Sequence, residues 1–220
     1  MDVDTHGKRQ NGEDVMRRML FAAVTMFMLL ALSGCGGGSS PPPTFVTTIT
    51  SDPAVDGDIE LNNGVFTTTQ GTTPTLLAGL DPLVIGSEFR AFLDFPLTGA
   101  VPLGALIDSA TLDIFIVSVD SAANSVPIRI ELVSFPPLDL RGVDFDQPAL
   151  IDAAIVAPIF QADVGRHVSI DVTPLLAEAQ RRGLANFQIR ILEDFGPVIR
   201  GVIEIDETGV RAPLLEVVYF

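Results

Sequence analysis

The chain has 220 residues, 47% of them hydrophobic and 19% charged, with a formal net charge of −15 and one cysteine, Cys35. That charge argues against nucleic acid as a partner, because such binding is driven largely by lysine and arginine on phosphates, and against tight contact with anionic headgroups. One cysteine excludes an internal disulfide. The acidic excess reads as solubility through self-repulsion, as binding of divalent cations, or as adaptation to high salt.

The first segment with a pattern is Arg17-Arg18 followed by the almost wholly apolar run Met19 to Leu32, closed by the small residues Ser33 and Gly34. This is the layout of a secretory signal. The run is too short for a bilayer core of roughly 30 Å, which needs about 20 apolar residues as a helix. Residues 1–15 are polar and fit no signal, which makes Met16 a candidate start. Leu32-Ser33-Gly34-Cys35 looks like the lipobox of a bacterial lipoprotein. The resemblance implies cleavage before Cys35, a lipid on its sulfur and anchorage to a membrane, with a further acyl chain making the attachment stable. Gly36 stands where the aspartate linked to inner-membrane retention would stand. The expected location is therefore the cell envelope, lipid-anchored, at the outer membrane. An uncleaved anchor or a buried core helix is the competing reading of this segment.

Residues 35–43 hold Gly36-Gly37-Gly38-Ser39-Ser40, a flexible tether, and Pro41-Pro42-Pro43, a stiff end to it. Residues 44–220 are long enough for one sizeable core and show no second boundary. All five methionines and the one lysine precede Cys35, and the acidic excess persists after it on arginine alone.

Beyond the tether, short runs alternate between apolar and polar. Phe89, Ala91, Leu93 and Phe95 fall on one face, with Arg90 and Asp94 on the other. Leu112, Ile114 and Ile116 flank Asp113. Ile128, Ile130 and Leu132 alternate with Arg129 and Glu131. Val168, Ile170 and Val172 alternate with Ser169 and Asp171, and Ile189 and Ile191 flank Arg190. Ile203 and Ile205 alternate with Glu204 and Asp206, and Leu215, Val217 and Tyr219 close the chain. A period of two means strands with one buried face. Many such strands separated by turn signals predict an all-β fold, an antiparallel β-sandwich. One short helix is expected over about residues 174–182, with Thr173 as cap, Pro174 at its first position and Gly183 at its end.

Four of these segments carry a family resemblance. Phe89-Arg90-Ala91-Phe92-Leu93-Asp94-Phe95-Pro96-Leu97, the passage Pro102 to Leu112, Asp171-Val172-Thr173-Pro174-Leu175-Leu176 and the closing Arg211 to Tyr219 resemble, in order and spacing, the corresponding stretches of the DNRLRE-type domain. The resemblance implies a jelly-roll-like sandwich akin to carbohydrate-binding modules on secreted or surface-attached proteins. Tryptophans that family members often carry near the helix are missing here.

Among candidate sites, Asp56, Asp58 and Glu60 stand at i, i+2 and i+4, which on a strand puts three carboxylates along one face. Calcium wants several oxygens, so this run is a candidate calcium site or a solvated polar face; no other cofactor is expected. Phe92 and Phe115 lie off the main apolar register and form either a stacking platform for sugar or packing beneath a loop or against the second sheet. His167, Ser169 and Asp171 alternate on one strand, but side chains two apart stand side by side and do not converge as a catalytic triad requires. The acidic pairs Asp144 with Asp146 and Glu193 with Asp194 lie in turn-like stretches where acids are expected. The expectation is a non-enzymatic, lipid-anchored module that presents a surface to envelope glycans or partner proteins. A dedicated carbohydrate-binding lipoprotein is the alternative, and a polysaccharide hydrolase or lyase the third reading.

Overall fold

In a computed structural model, residues 42–71, 73–194 and 200–220 are described. They fold as an antiparallel all-β unit with a single α-helix. The strands are β1 (Phe45–Thr50), β2 (Gly57–Asn62), β3 (Val65–Gln70), β4 (Thr75–Leu80), β5 (Ser87–Pro96), β6 (Ile107–Ser121), β7 (Ser125–Val133), β8 (Ala154–Phe160) and β9 (Arg166–Asp171). After the helix α1 (Thr173–Arg181) come β10 (Asn186–Glu193), β11 (Gly201–Asp206) and β12 (Leu214–Tyr219).

All twelve strands belong to one sheet that curls on itself. β6 is its axis. β12 pairs with its first half and β11 with its second half along one flank, while β9 pairs with the other flank. β1 and β4 add outside β12 and β11 respectively. The second layer runs β3-β2-β5-β10-β7-β8. β5 joins the layers by pairing with both β4 and β2 at its start and with β10 further on.

The period-two pattern fills the space between the layers. Leu93, Phe95, Leu112, Ile114, Ile130, Ile189, Ile203 and Phe187 are fully buried there. A one-residue bulge opposite Glu204 and Ile205 leaves Val117 of β6 unmatched. Such an insertion exchanges the two faces of the strand. Ala110, Leu112, Ile114 and Ile116 therefore point inward before it and Val119 after it.

Contrary to what strand alternation predicts, the face of β5 that carries Arg90 and Asp94 is not solvated: both residues are buried, as is Phe92 between them. The segment after β7 folds over this outer face. Its Phe135, Leu140 and Phe145 form a second core with Val55, Ile59, Phe92 and Val133. β5 and β10 are thus covered on both sides, which explains their nearly unbroken burial.

The helix forms as its residues dictate, one position earlier than expected at each end. Leu175, Leu176 and Ala179 are its buried face. The capping acceptor is Asp171, whose Oδ1 receives the Thr173 N–H at 2.9 Å. Thr173 Oγ1 instead accepts the Ala110 N–H at 2.9 Å and ties the helix to β6. Gly183, with φ +66°, takes the left-handed conformation that ends the helix. No helix among the described residues is long and apolar enough to cross a membrane.

Candidate functional site

Cys35 and the preceding Leu32, Ser33 and Gly34 lie outside the described residues. The remaining candidates occupy three regions of the sandwich.

The outer face of the first layer holds Asp113 on β6 opposite Ser169 on β9, beside Phe115 opposite His167. Asp113 takes both neighbours: His167 Nδ1 meets its Oδ1, and Ser169 Oγ donates to its Oδ2 at 3.1 Å. Serine and histidine thus both bind the acid and not each other, which is not the serine–histidine–acid relay of a triad. Phe115 offers no open ring face. The His167 ring meets it edge-on at 5.1 Å, and the Arg211 guanidinium covers it at 4.3 Å from the centroid. Phe92 is fully buried in the second core with its ring edge against Phe135. It packs beneath the loop and presents no platform.

Asp56, just before β2, and Asp58 and Glu60 on it accept from different donors. Asp56 Oδ1 accepts the Asp94 N–H at 2.6 Å and Asp58 Oδ2 the Leu77 N–H at 3.1 Å. Glu60 Oε1 accepts from Ser87 Oγ at 2.8 Å and Asn62 Nδ2 at 3.1 Å. Alternate residues on a strand lie about 6.6 Å apart, so the three do not converge on one ion. Among the described residues, no group of three or more acidic, histidine or cysteine side chains is gathered as a metal set. Burial pushes the Asp58 carboxyl up to about 6. Asp56 turns instead toward Glu207 and Ser51, a contact between distant stretches that no local pattern announces. Burial raises both carboxyls well above the ordinary range, and the Glu207 charge raises Asp56 further.

The third region is the uncovered half of the second layer's outer face. Glu131, Arg190 and Phe92 form one cross-strand row, and Arg129 and Leu192 stand opposite each other in the next. Where the loop after β7 ends, two buried arginines hold it. Arg190 pairs with Glu131 and donates through Nη1 to the carbonyls of Phe145 (2.7 Å) and Gln147 (3.0 Å). Arg90 donates to the same Phe145 carbonyl and to Asp146 (2.9 Å), with its guanidinium 3.8 Å above the Phe145 ring. Arg129 reaches Asp194 at 3.1 Å and Glu131 at 3.4 Å. Between loop and sheet these groups line a groove of about 450 Å³. Gln147 Nε2 sits in its wall, buried and without a partner in the protein. One member of each acidic pair is a structural anchor: Asp144 accepts the Arg141 N–H at 2.8 Å and Glu193, on β10, the Leu80 N–H at 3.0 Å, while Asp146 and Asp194 line the groove.

An apolar recess of about 540 Å³ lies at the end where β1 begins, lined by Leu97, Val101, Leu103, Leu184 and Tyr219. Tyr219 stacks on Phe45 at its rim.

No protein-family model matches this chain, and no curated protein is significantly similar to it.

Proposed function

We propose that this chain is a lipid-anchored, non-enzymatic module of the bacterial envelope, at the outer membrane, whose β-sandwich acts by binding. The lipobox-like Leu32-Ser33-Gly34-Cys35 and the Gly/Ser/Pro tether support the anchor. The DNRLRE-like segments support a module of the carbohydrate-binding kind.

One observation carries the binding reading: the groove lined by Arg129, Glu131, Gln147, Arg190 and Asp194. Its donors and acceptors are held in fixed positions by two rows of paired strands and a clamped loop. An array of guanidinium, carboxylate and amide groups over a small apolar floor at Leu192 suits a hydroxyl-rich ligand. This favours an envelope glycan over an apolar peptide. The groove's carboxylates are each held by an arginine, which suits recognition better than glycoside cleavage, where one acid must be positioned to give a proton.

Binding of the mature chain to an array of envelope and plant polysaccharides tests this reading. Arg129→Ala and Asp194→Ala each remove charge-assisted hydrogen bonds and should weaken binding roughly ten- to a hundredfold. Unchanged binding in both variants contradicts the groove, and turnover of a polysaccharide contradicts the non-enzymatic assignment.

A further inference from the structure

At the end of the sandwich where β1 begins, apolar side chains stand in water. Phe45 pairs with Tyr219 and Tyr219 with Ile107, so the starts of β1 and β6 and the end of β12 lie side by side. Leu106 and Phe220 exchange backbone hydrogen bonds there at 3.0 and 3.1 Å. Leu103 is 84% exposed, Leu106 62% and Phe45 52%. The apolar recess that Leu103 and Tyr219 border carries no charged side chain in its lining. The loop between β5 and β6 keeps these leucines outward. The Leu97 carbonyl accepts the Ala100 and Val101 N–H groups, each at 3.0 Å, and the Pro102 carbonyl accepts the Ala105 N–H at 3.0 Å and Gln180 Nε2 at 2.6 Å. Their exposure is therefore built into the fold, and contiguous exposed apolar surface marks an interaction site.

What covers this patch follows from where the chain enters the sandwich. Phe45 opens β1 and stands ten residues after Cys35, a reach of at most about 35 Å. Leu83 and Ile85, in the loop before β5, are exposed as well, but they lie past the opposite end of that ten-residue strand, about 30 Å from the patch. The end that carries Leu103 is thus the one nearest Cys35 along the chain. The groove's Leu192 and Asp194 lie toward the other end, where β10 finishes beside the start of β7.

We propose that this end of the sandwich docks on a lipid surface, with Phe45, Leu103 and Leu106 entering the interfacial layer and the groove held open on the far side. The orientation rests on the anchor at Cys35 proposed above. The contact is apolar rather than ionic. Arg181 and Arg182, at the helix end beside the recess, are both paired with Glu178, and the chain as a whole carries a net charge of −15. Docking therefore needs no anionic lipid and is indifferent to salt; it gains instead from apolar side chains buried at the boundary between headgroups and acyl chains.

The chain has no tryptophan, and Cys35 is its one thiol. Residues 43–220 form one compact unit with its own cores, so the mature chain beginning at Cys35 can be coupled through that thiol to maleimide-headgroup lipid in phosphatidylcholine vesicles. Leu103→Trp places a sole indole in the patch, and Leu83→Trp places one at the far end. On coupling, the Leu103→Trp emission should shift to the blue and be quenched by acyl chains brominated near the headgroup, equally in low and high salt, while Leu83→Trp should match the uncoupled chain. Adding Leu106→Glu should lower the ratio of docked to undocked Leu103→Trp chain roughly tenfold. Coupling supplies the anchor, so a negative result refutes the docking and leaves acylation to its own test. Absence of quenching at Leu103→Trp, or equal quenching in both variants, overturns the proposal. So does a blue shift that arises without lipid as the soluble chain is concentrated, which would make a second copy the occupant.

Discussion

Asp58 is the residue whose charge costs most plainly. Its carboxyl is buried on β2, receives one backbone N–H, and is raised by desolvation from 3.8 to about 6. The unfolded chain therefore gives up this proton first as pH rises. The Asp58 contribution to stability should fall between about pH 4 and about pH 6 and level off above, while Asp56 and Glu207 carry a further decline to higher pH. At about 1.4 kcal/mol per pH unit the loss approaches roughly 3 kcal/mol. Urea midpoints measured across that window in chelator should show the slope, and Asp58→Asn should flatten part of it; an unaltered slope would mean the folded carboxyl ionises normally. At this scale the sequence is only partly legible. That Asp56, Asp58 and Glu60 share a face follows from strand geometry. That Asp56 meets Glu207 does not, because the contact joins stretches far apart in the chain and leaves no local trace. The register of Phe92 fits either stacking or packing, and its full burial beneath the loop makes it a packing residue.

Among the elements, the segment after β7 does most to distinguish this sandwich from a two-layer one. It brings its own apolar residues to the outer face and is pinned by polar groups from below. Gln188 exchanges hydrogen bonds with the Phe135 backbone at 3.0 and 3.1 Å, Gln70 accepts the Leu140 N–H at 2.9 Å, and Arg90 and Arg190 hold the Phe145 carbonyl. Arg190→Ala leaves Glu131 with only the longer Arg129 contact and takes a buried donor from the Phe145 and Gln147 carbonyls. It should cost about 3–5 kcal/mol, as breaking a buried ion pair does. Chemical denaturation measures this, and hydrogen exchange should quicken first in the loop. A loss under about 1 kcal/mol would show that the apolar contacts alone hold the cover. β4 depends on Gly79 in a different way. Its φ is +126°, and an added Cβ would come within 2.2 Å of the Gly201 carbonyl oxygen. Gly79→Ala should cost about 1–3 kcal/mol in backbone strain, plus the displacement of β11. Strand alternation was readable because one face of most strands meets water. It misled at β5, where arginine and aspartate appear to mark a solvated face and instead support a buried loop.

For the whole molecule, two cores stand back to back across the second layer: the inter-layer core and the smaller one beneath the loop. The all-β class, the single helix and the main core were legible because each rests on short-range periodicity. The curl of one continuous sheet, the end-to-end placing of β11 and β12 along β6, and the groove were not, because they depend on which strands pair. The proposed acylation at Cys35 is tested most directly by the mass of the N-terminal peptide of the chain recovered from the membrane fraction of a cell that makes it. The expected peptide begins at Cys35 and carries a diacylglyceryl group. An N-terminus that retains residues before Cys35, on a chain recovered free in the cytosol, would contradict it.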